Sequence, residues 1–238
     1  MPSMMKEVSQ DRWNASQRLE LDFWKTWTQA APYQDLNVPK YWSEELARFG
    51  CTQDIFTGRR VLDIGCGPFG LIHFLDHAAE RIRIDPLLTQ YESRLPLRDP
   101  QLSLAGLAEA LPLASGSIDV AICFNALDHM QDPAAALREI QRVLRPGGTL
   151  LLMIHTFPAW TRPFFWVDRL HPHHWTAAAF LAQIGRTFKI ERSESARRRF
   201  EVPASKWLLS SSWKYLAANF VVRSTYARVT AGMGGAPV

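Results

Sequence analysis

The chain has 238 residues, 47% of them hydrophobic and 21% charged, which is ordinary globular usage and excludes an intrinsically disordered chain. This length predicts one domain with appended segments. The cysteines Cys51, Cys66 and Cys123 are too few and too scattered for a disulfide framework or a zinc knuckle, and they suit a reducing cytoplasm. We see no secretion signal and no apolar stretch approaching the ~18 residues of a membrane-spanning helix.

The net charge of +4 is unevenly distributed along the chain. Between Arg186 and Arg228 there are ten Lys and Arg residues against three Glu residues. Such a segment attracts an anionic substrate or a membrane surface. The simpler interpretation, which we favour, is a solvated helix face with a charged loop at Arg197 to Arg199.

The first fifty residues predict an aromatic helical region. Trp13, Leu21, Trp24 and Trp27 fall near helical spacing, and a second short helix is predicted over Trp42–Phe49, ended by Gly50 in a left-handed cap. These helices precede the first strand, so they pack over the edge or the top of the sheet. We expect residues 1–50 to form a helical lid and residues 51–238 the main domain. The alternative is packing on a distant edge of the sheet.

From Arg59 onward, short apolar strands alternate with helices. Strands are predicted over Arg60–Ile64, Arg81–Ile84, Leu102–Ala105, Ile118–Phe124 and Thr149–His155, with helices near Leu71–Ala78 and over Pro133–Leu144. The pattern predicts a doubly wound α/β fold, with a mostly parallel sheet and helices on both faces. Further elements are predicted towards the C-terminus: a helix from Thr176, strands at Phe188–Ser193 and within VVRSTYARV, and a helix over Ala204–Phe220.

A glycine-rich turn follows the first strand. Gly65, Gly67 and Gly70 form a G-x-G-x-x-G pattern, in which the first glycine permits a tight turn and the second lets a ligand lie against the backbone. Asp85 ends the second strand, where a carboxylate can accept hydrogen bonds from ribose hydroxyls. By itself this pattern also fits a nicotinamide oxidoreductase or a plain strand–helix turn.

Asp63 and the motifs that follow favour another interpretation. The stretch Val61–Gly70 resembles motif I of class I S-adenosylmethionine (SAM)-dependent methyltransferases. The order and spacing of the methyltransferase-11-type branch continue through Ala108–Leu113, Gly116–Val120, Asn125–His129 and Arg142–Gly148. The resemblance covers about residues 59–155. It implies a Rossmann-like seven-stranded sheet built around this core. Residues 156–238 would supply acceptor-side elements, including a C-terminal helical insertion. The cofactor would be SAM and the product S-adenosylhomocysteine.

The resemblance also implies a role for each motif residue. Motif I would hold the methionine part, Asp85 the ribose, the turn after strand three the adenine, and the end of strand four the methyl group. The residues implied are Asp63 (for the ammonium group), Gly65, Cys66, Gly67, Asp85, Ala108, Glu109 and Asn125. Many relatives carry an Asp before the Ala-Glu pair to bind the adenine amino group. Here that position is Leu107, so Glu109 or a backbone carbonyl has to replace it.

Histidines supply the candidate catalytic residues. Methyl transfer requires an aligned nucleophile, exclusion of water and, for some acceptors, removal of a proton. His129, beside Asp128, and His155, at the end of strand five, are the candidate bases; the alternative for both is a structural role. His171, His173 and His174 near Asp168 suggest metal ligands. Because adjacent residues point apart in an extended segment, we expect no metal site.

These features predict a cytoplasmic SAM-dependent methyltransferase acting on a small molecule by O-, N- or C-methylation. All nine tryptophans lie outside the cofactor-binding core, and Arg162 lies between Trp160 and Trp166, so the acceptor is expected to be aromatic or anionic. The alternative is a catalytically silent SAM-binding protein acting as a partner subunit. We find no nucleic-acid recognition module, and Asp63 disfavours the oxidoreductase.

Overall fold

The computed structural model describes residues 6–28, 38–92, 102–197 and 221–232. Its sheet contains seven strands: β1 (Arg60–Ile64), β2 (Glu80–Ile84), β3 (Leu102–Leu104), β4 (Ile118–Phe124), β5 (Leu144–Thr156), β6 (Lys189–Arg197) and β7 (Arg223–Thr230). The strand order is β3-β2-β1-β4-β5-β7-β6, and β7 runs antiparallel to both its neighbours. The predicted α/β fold with a mostly parallel seven-stranded sheet is confirmed.

Five α-helices accompany the sheet in the described residues: α1 (Gln10–Thr28), α2 (Val38–Arg48), α3 (Leu88–Glu92), α4 (Pro133–Val143) and α5 (Ala177–Ile184). The carboxylate of Asp132 caps α4 by accepting from the amides of Ala134 and Ala135, at 2.9 and 3.1 Å, and Pro133 occupies the first turn, as the sequence predicts. Among these residues we find no helix whose length and hydropathy suit a bilayer crossing. The helix predicted over Ala204–Phe220, the expected C-terminal insertion, lies outside the described residues.

Apolar side chains cover both faces of the sheet. On one face, Leu137 and Ile140 of α4 and Phe180 of α5 pack against alternate residues of the central strands. On the other face, Trp42 and Leu46 of α2, together with Phe49 just after this helix, pack against the remaining alternate residues. No described residue of α1 belongs to either buried cluster. Helix α2 is therefore part of the core, whereas α1 is not.

The helix predicted near Leu71–Ala78 is wrong. The chain instead forms two 3₁₀ turns, Gly67–Phe69 and Leu71–Phe74, separated by Gly70 in an extended conformation with ψ 154°. Pro68 and two glycines within four residues lower the helix propensity of this segment, and the extended Gly70 interrupts the hydrogen-bond ladder that an α-helix requires. The glycine-rich turn therefore leads into tight turns and not into a regular helix.

Candidate active site

The glycine-rich turn lies at the carboxyl end of β1, where an open α/β sheet binds its ligands. Gly65 and Gly67 adopt left-handed conformations, with φ of 63° and 53°, which glycine tolerates without strain. A Cβ on Gly65 would collide with the side chain of Ala126, just after β4. The turn after β1 and the turn after β4 are thus in direct contact at the edge of the sheet where the ligand crevice of such folds lies. Cys66, between the two glycines, is buried, and this burial raises the pKa of its thiol.

Asp85 fixes the position of this turn. Its Oδ2 accepts a hydrogen bond from the amide of Gly67 at 3.0 Å, and its Oδ1 accepts one from the amide of Leu87 at 2.8 Å. Burial raises the pKa of Asp85 to about 6, against the effect of these two bonds. The carboxylate lies at the end of β2, where the sequence places it. Each oxygen keeps a second lone pair for a ligand, so its ribose role stays a prediction.

Asp63 lies beneath the turn. Its Oδ2 accepts a hydrogen bond from the amide of Ile72 at 3.2 Å, and a Cβ added to Gly70 would come within 2.5 Å of the same oxygen. Only 2% of the side chain surface is exposed. Burial, and secondarily the nearby Asp85, raise the pKa of Asp63 to about 7. Asp63 therefore holds the segment after the glycine-rich turn through the Ile72 amide. Its contact with an ammonium group stays a prediction.

The turn expected to hold the adenine is Ala108–Ala110, a 3₁₀ turn with Ala108 buried. Glu109 does not project freely, because its Oε1 accepts hydrogen bonds from the amides of Gln131 and Asp132 at 2.8 and 3.2 Å. Arg142 of α4 fixes the continuation of the turn by donating to the Leu111 carbonyl at 2.9 Å. Oε1 of Glu109 is thus occupied by these two backbone amides, and the adenine role of this turn stays a prediction.

Asn125 ends β4 in a conformation that few residues adopt. Its φ is 51°, and among the described residues it is the only non-glycine residue with positive φ. Its amide donates to the carbonyl of Met153 at 2.6 Å, while its side-chain Oδ1 is buried without a hydrogen bond. A strained backbone and an unsatisfied acceptor at the crevice are features of binding sites.

Helix α1 lies across the crevice. The Trp24 indole contacts Gly67: a Cβ on Gly67 would lie 3.3 Å from Trp24 Cζ2. Trp13 Nε1 donates to the carbonyl of His129 at 3.0 Å, after β4. Arg12 donates to the carbonyls of Arg169 and His171 at 2.8 and 2.9 Å, after β5. The helix therefore joins the glycine-rich turn to the loops that follow β4 and β5.

The two candidate bases have different surroundings. His129 is enclosed under α1: its Nδ1 lies 3.5 Å from Glu20 Oε2, and its ring centroid lies 4.5 Å from that of His171. Burial, and then the neighbouring His171, lower the pKa of His129 well below its ordinary value. Burial also raises the pKa of Glu20, to about 7. His155 is half-buried near the end of β5, with its Nδ1 3.4 Å from the hydroxyl of Ser224 on β7.

The His-rich loop directs two of its three histidines to one carboxylate and the third to a different partner. His171 Nδ1 and His174 Nε2 both donate to Asp168 Oδ2, at 2.8 and 2.9 Å. These two hydrogen bonds hold the pKa of Asp168 well below its usual range, although burial acts in the opposite direction. His173 turns away to the carbonyl of Met130, at 2.8 Å. The expectation that adjacent histidines point apart holds for His173 and His174, but the structure unites His171 with His174.

A family model described as a methyltransferase domain matches residues 62–152, from β1 to β5. An uncharacterized methyltransferase of Mycobacterium bovis is 35% identical over 99 residues, which cover 41% of this chain and 40% of that protein. A ubiquinone biosynthesis O-methyltransferase of Pseudomonas aeruginosa is 31% identical over 140 residues, which cover 55% of this chain and 56% of that protein. The chain spans about half the length of these curated relatives.

A solved structure extends the likeness beyond the matched segment. It is the methyltransferase in a complex with the Haloferax volcanii Trm112 methyltransferase activator, with a TM-score of 0.65 and 19% identity over 91% of this chain and 99% of that one. At that identity, the likeness concerns the fold. Residues 62–152, which the family model matches, form a methyltransferase domain of the class I SAM-dependent type.

A cavity of about 630 Å³ lies between α1 and the loop that follows β5. The wall combines apolar groups with basic ones and with the histidine cluster; its residues include Arg12, Leu19, Trp166, Arg169, His171 and Trp175. Its position is the one predicted for an acceptor pocket, between the N-terminal helical region and the loop that contains Trp160 and Trp166.

Two residues outside the matched segment 62–152 were absent from the predicted site. Glu20 lies on α1 within hydrogen-bond distance of Trp24, whose Nε1 donates to Glu20 Oε1 at 2.7 Å, and it faces His129. Asp168 gathers two histidines. The D-x-x-H-x-x-H spacing of Asp168, His171 and His174 was readable in the sequence. The contact between Glu20 and His129, 109 positions apart, was not, because it depends on how α1 docks.

Proposed function

We propose that this chain is an enzyme that transfers a methyl group from SAM to a small-molecule acceptor. The observation that carries the proposal is the turn after β1, held by Asp85 and packed on the turn after β4, with the unsatisfied Oδ1 of Asn125 beside it. The family match over residues 62–152 includes every one of these groups.

The residues present fit SAM. The backbone of left-handed Gly67 faces the movable Trp24 indole, and Asp85 and Asn125 offer acceptors for hydroxyl or ammonium donors. Bound SAM supplies a sulfonium-activated methyl group. The chain would supply alignment and exclusion of water. A ligand lying along Gly67 has to displace the Trp24 indole, so we propose that α1 is the lid element within residues 1–50, while α2 stabilises the core.

The acceptor we propose is an aromatic or anionic small molecule. The cavity beside α1 is lined by the Trp166 indole together with the guanidinium groups of Arg12 and Arg169. Aromatic and basic groups together bind a flat, negatively charged molecule. One relative bears the name of an O-methyltransferase of ubiquinone biosynthesis, which supports an oxygen atom as the methylated position. The acceptor-side role proposed for residues 156–238 rests on the same cavity.

A proton acceptor is required if the acceptor is a neutral hydroxyl. Of the two predicted bases we retain His155, since the ring of His129 is enclosed among Glu20, Asp128 and His171. If His155 is the base, His155→Ala lowers turnover by ~10²–10⁴ and leaves the affinity for SAM nearly unchanged. Wild-type turnover in this variant would show that the acceptor needs no base at this position.

The experiment that tests the function combines calorimetry with SAM and methyl transfer from labelled SAM to a panel of phenolic and carboxylic acids. Gly67→Val should abolish SAM binding, because the added side chain occupies the ligand's space and strains the backbone. Gly116→Val is the matched control: its φ is 66°, it has the same backbone strain, and no atom lies within 4 Å of an added Cβ. Binding of NAD without binding of SAM would refute the proposal.

The same experiment addresses the second candidate, a SAM-binding partner subunit without activity of its own. The fold is shared with a methyltransferase that was solved in a complex with an activator protein. This likeness is the observation that favours the second candidate. A partner subunit would bind SAM and transfer no methyl group in any acceptor panel.

We propose a cytoplasmic location because all three cysteines are free thiols, as a reducing compartment maintains them.

A further inference from the structure

Four metal-ligating side chains from three different segments converge beneath α1. Glu20 comes from α1, Asp128 and His129 from the turn after β4, and His171 from the loop after β5. The potential ligand atoms of Asp128, His129 and His171 all lie within 4.8 Å of one another. Glu20 Oε2 lies 3.5 Å from His129 Nδ1 and so adds a fourth donor to the group.

The separations within this cluster exceed hydrogen-bond lengths but suit a shared cation. His171 Nε2 lies 4.0 Å from Asp128 Oδ2, and His129 Nδ1 lies 3.5 Å from Glu20 Oε2, whereas hydrogen bonds of these types measure about 2.7–3.2 Å. Ligands bound at about 2.0–2.2 Å around a tetrahedral Zn²⁺ lie roughly 3.3–3.6 Å from one another. Small side-chain movements would close the cluster around one ion.

Two polar atoms of this group are buried without hydrogen bonds. They are Asp128 Oδ1 and His129 Nδ1, and Asp128 is only 1% exposed. An unsatisfied buried polar atom is costly, and native structures keep few of them unless a water molecule, an ion or a function explains them. A divalent cation would satisfy both atoms and balance the charge of the two carboxylates.

Outer hydrogen bonds orient these ligands. Asp168 accepts from His171 Nδ1 at 2.8 Å, which leaves the lone pair of Nε2 on the side of Asp128. Trp24 Nε1 donates to Glu20 Oε1 at 2.7 Å, so that Oε2 is the oxygen facing His129. A carboxylate that holds the second nitrogen of a ligating histidine is the usual support of a metal site. Asp168 would therefore orient a ligand without binding the ion itself, and His174 shares the same Asp168 oxygen.

We propose that Glu20, Asp128, His129 and His171 form a binding site for a divalent transition metal, with Zn²⁺ as the ion that two imidazoles and two carboxylates suit best. This assignment makes His129 a ligand rather than a base. The site adjoins the cavity through His171 and the crevice through α1, which carries both Glu20 and Trp24. If the proposed function holds, an acceptor oxygen would join the four protein ligands as a fifth ligand of the ion, which would lower the pKa of that oxygen.

The test is calorimetric titration of the chelator-treated full chain with ZnCl₂, without SAM. We expect one Zn²⁺ per chain. Asp128→Asn and His171→Gln should each weaken binding at least tenfold, and Asp168→Asn should weaken it by ~10–100-fold through the orientation of His171. The matched control is His173→Gln, from the same loop, whose ring bonds the Met130 carbonyl and should leave zinc affinity unchanged. If circular dichroism shows that this variant is unfolded, His77→Gln replaces it.

Substitution with Co²⁺ provides an independent measurement. A four-coordinate site gives intense visible absorption bands, which His171→Gln should remove. Absence of stoichiometric Zn²⁺ binding, or equal affinities in the wild type, Asp128→Asn and His171→Gln, would overturn the site. These outcomes are separate from the proposed function: Zn²⁺ binding by a chain that lacks methyl transfer supports the site alone, and full methyl transfer by chelator-treated protein that binds no Zn²⁺ refutes the site alone.

Discussion

Replacing Asp63 by Asn tests the electrostatics of the glycine-rich turn. Asp63 is buried, and the backbone amide of Ile72 is the hydrogen-bond donor that the structure gives its carboxylate. Its pKa is raised from 3.8 to about 7, first by burial and then by Asp85. Asn has the same shape, and its side-chain carbonyl can still accept from Ile72. The variant therefore removes the buried charge and keeps the hydrogen bond.

The sign and the size of the effect follow from the proton balance. Between pH ~4 and ~7 the unfolded chain has released the Asp63 proton while the folded chain retains it, so folding stability falls as the pH rises. A shift of about three pH units at about 1.4 kcal/mol each amounts to roughly 4 kcal/mol. Asp63→Asn should match the wild type near pH 4 and exceed its unfolding free energy by up to about 4 kcal/mol at pH 8.

Urea denaturation followed by circular dichroism at pH 4, 6 and 8 measures this difference. Parallel stability curves for the variant and the wild type would refute the reasoning, because they would mean that Asp63 ionises equally in the folded and unfolded chains. Repeating the series with saturating SAM tests the predicted ammonium contact. A bound ammonium group favours the ionised carboxylate, so the advantage of the variant at pH 8 should shrink.

Three further changes test the crevice and its cover. Asp85→Ala removes the bonds to the Gly67 and Leu87 amides and should weaken SAM binding by about 1.5–3 kcal/mol, measured by calorimetry; unchanged affinity would place the ribose elsewhere. Trp24→Ala uncovers Gly67, so stopped-flow association of SAM should become faster while turnover falls; the neighbouring, largely exposed Phe23 supplies the control Phe23→Ala. Deletion of residues 1–35 should leave a folded sheet with weaker SAM affinity, and full activity would refute a lid.

The sheet was predictable because each central strand is a short run of apolar residues that can be recognised in the sequence. Apolar runs such as Ile118–Phe124 are buried on both sides, and the apolar run from Thr149 was recognised as a strand although β5 begins earlier, at Leu144, and includes Pro146, Gly147 and Gly148. The segment after Gly70 was not predictable in the same way. Its apolar residues have helical spacing, but the glycines and Pro68 favour tight turns. Local propensity decided the structure there, against the hydrophobic pattern.

The site was predictable only where one motif contains all the groups involved. Gly65, Gly67 and Asp85 lie at the ends of adjacent parallel strands, so their proximity follows from topology. Glu109 shows the limit of this reasoning: its position follows from the motif, but its bonds to the amides of Gln131 and Asp132 depend on a loop packing that no local pattern specifies. Glu20 was missed for the same reason.

Helix α1 connects the two proposed sites physically, and this connection explains its composition. Its buried face carries polar groups: Trp13, Glu20 and Trp24 each make a hydrogen bond through the side chain, and none belongs to an apolar core cluster. A helix whose only task was to stabilise the sheet would bury aliphatic side chains, as α2 does with Leu46. Because Trp24 contacts Gly67 while its indole nitrogen holds Glu20 towards His129, a ligand that displaces Trp24 also releases Glu20. On these two proposals, entry of SAM into the crevice would be coupled to the arrangement of the histidine cluster through this one hydrogen bond.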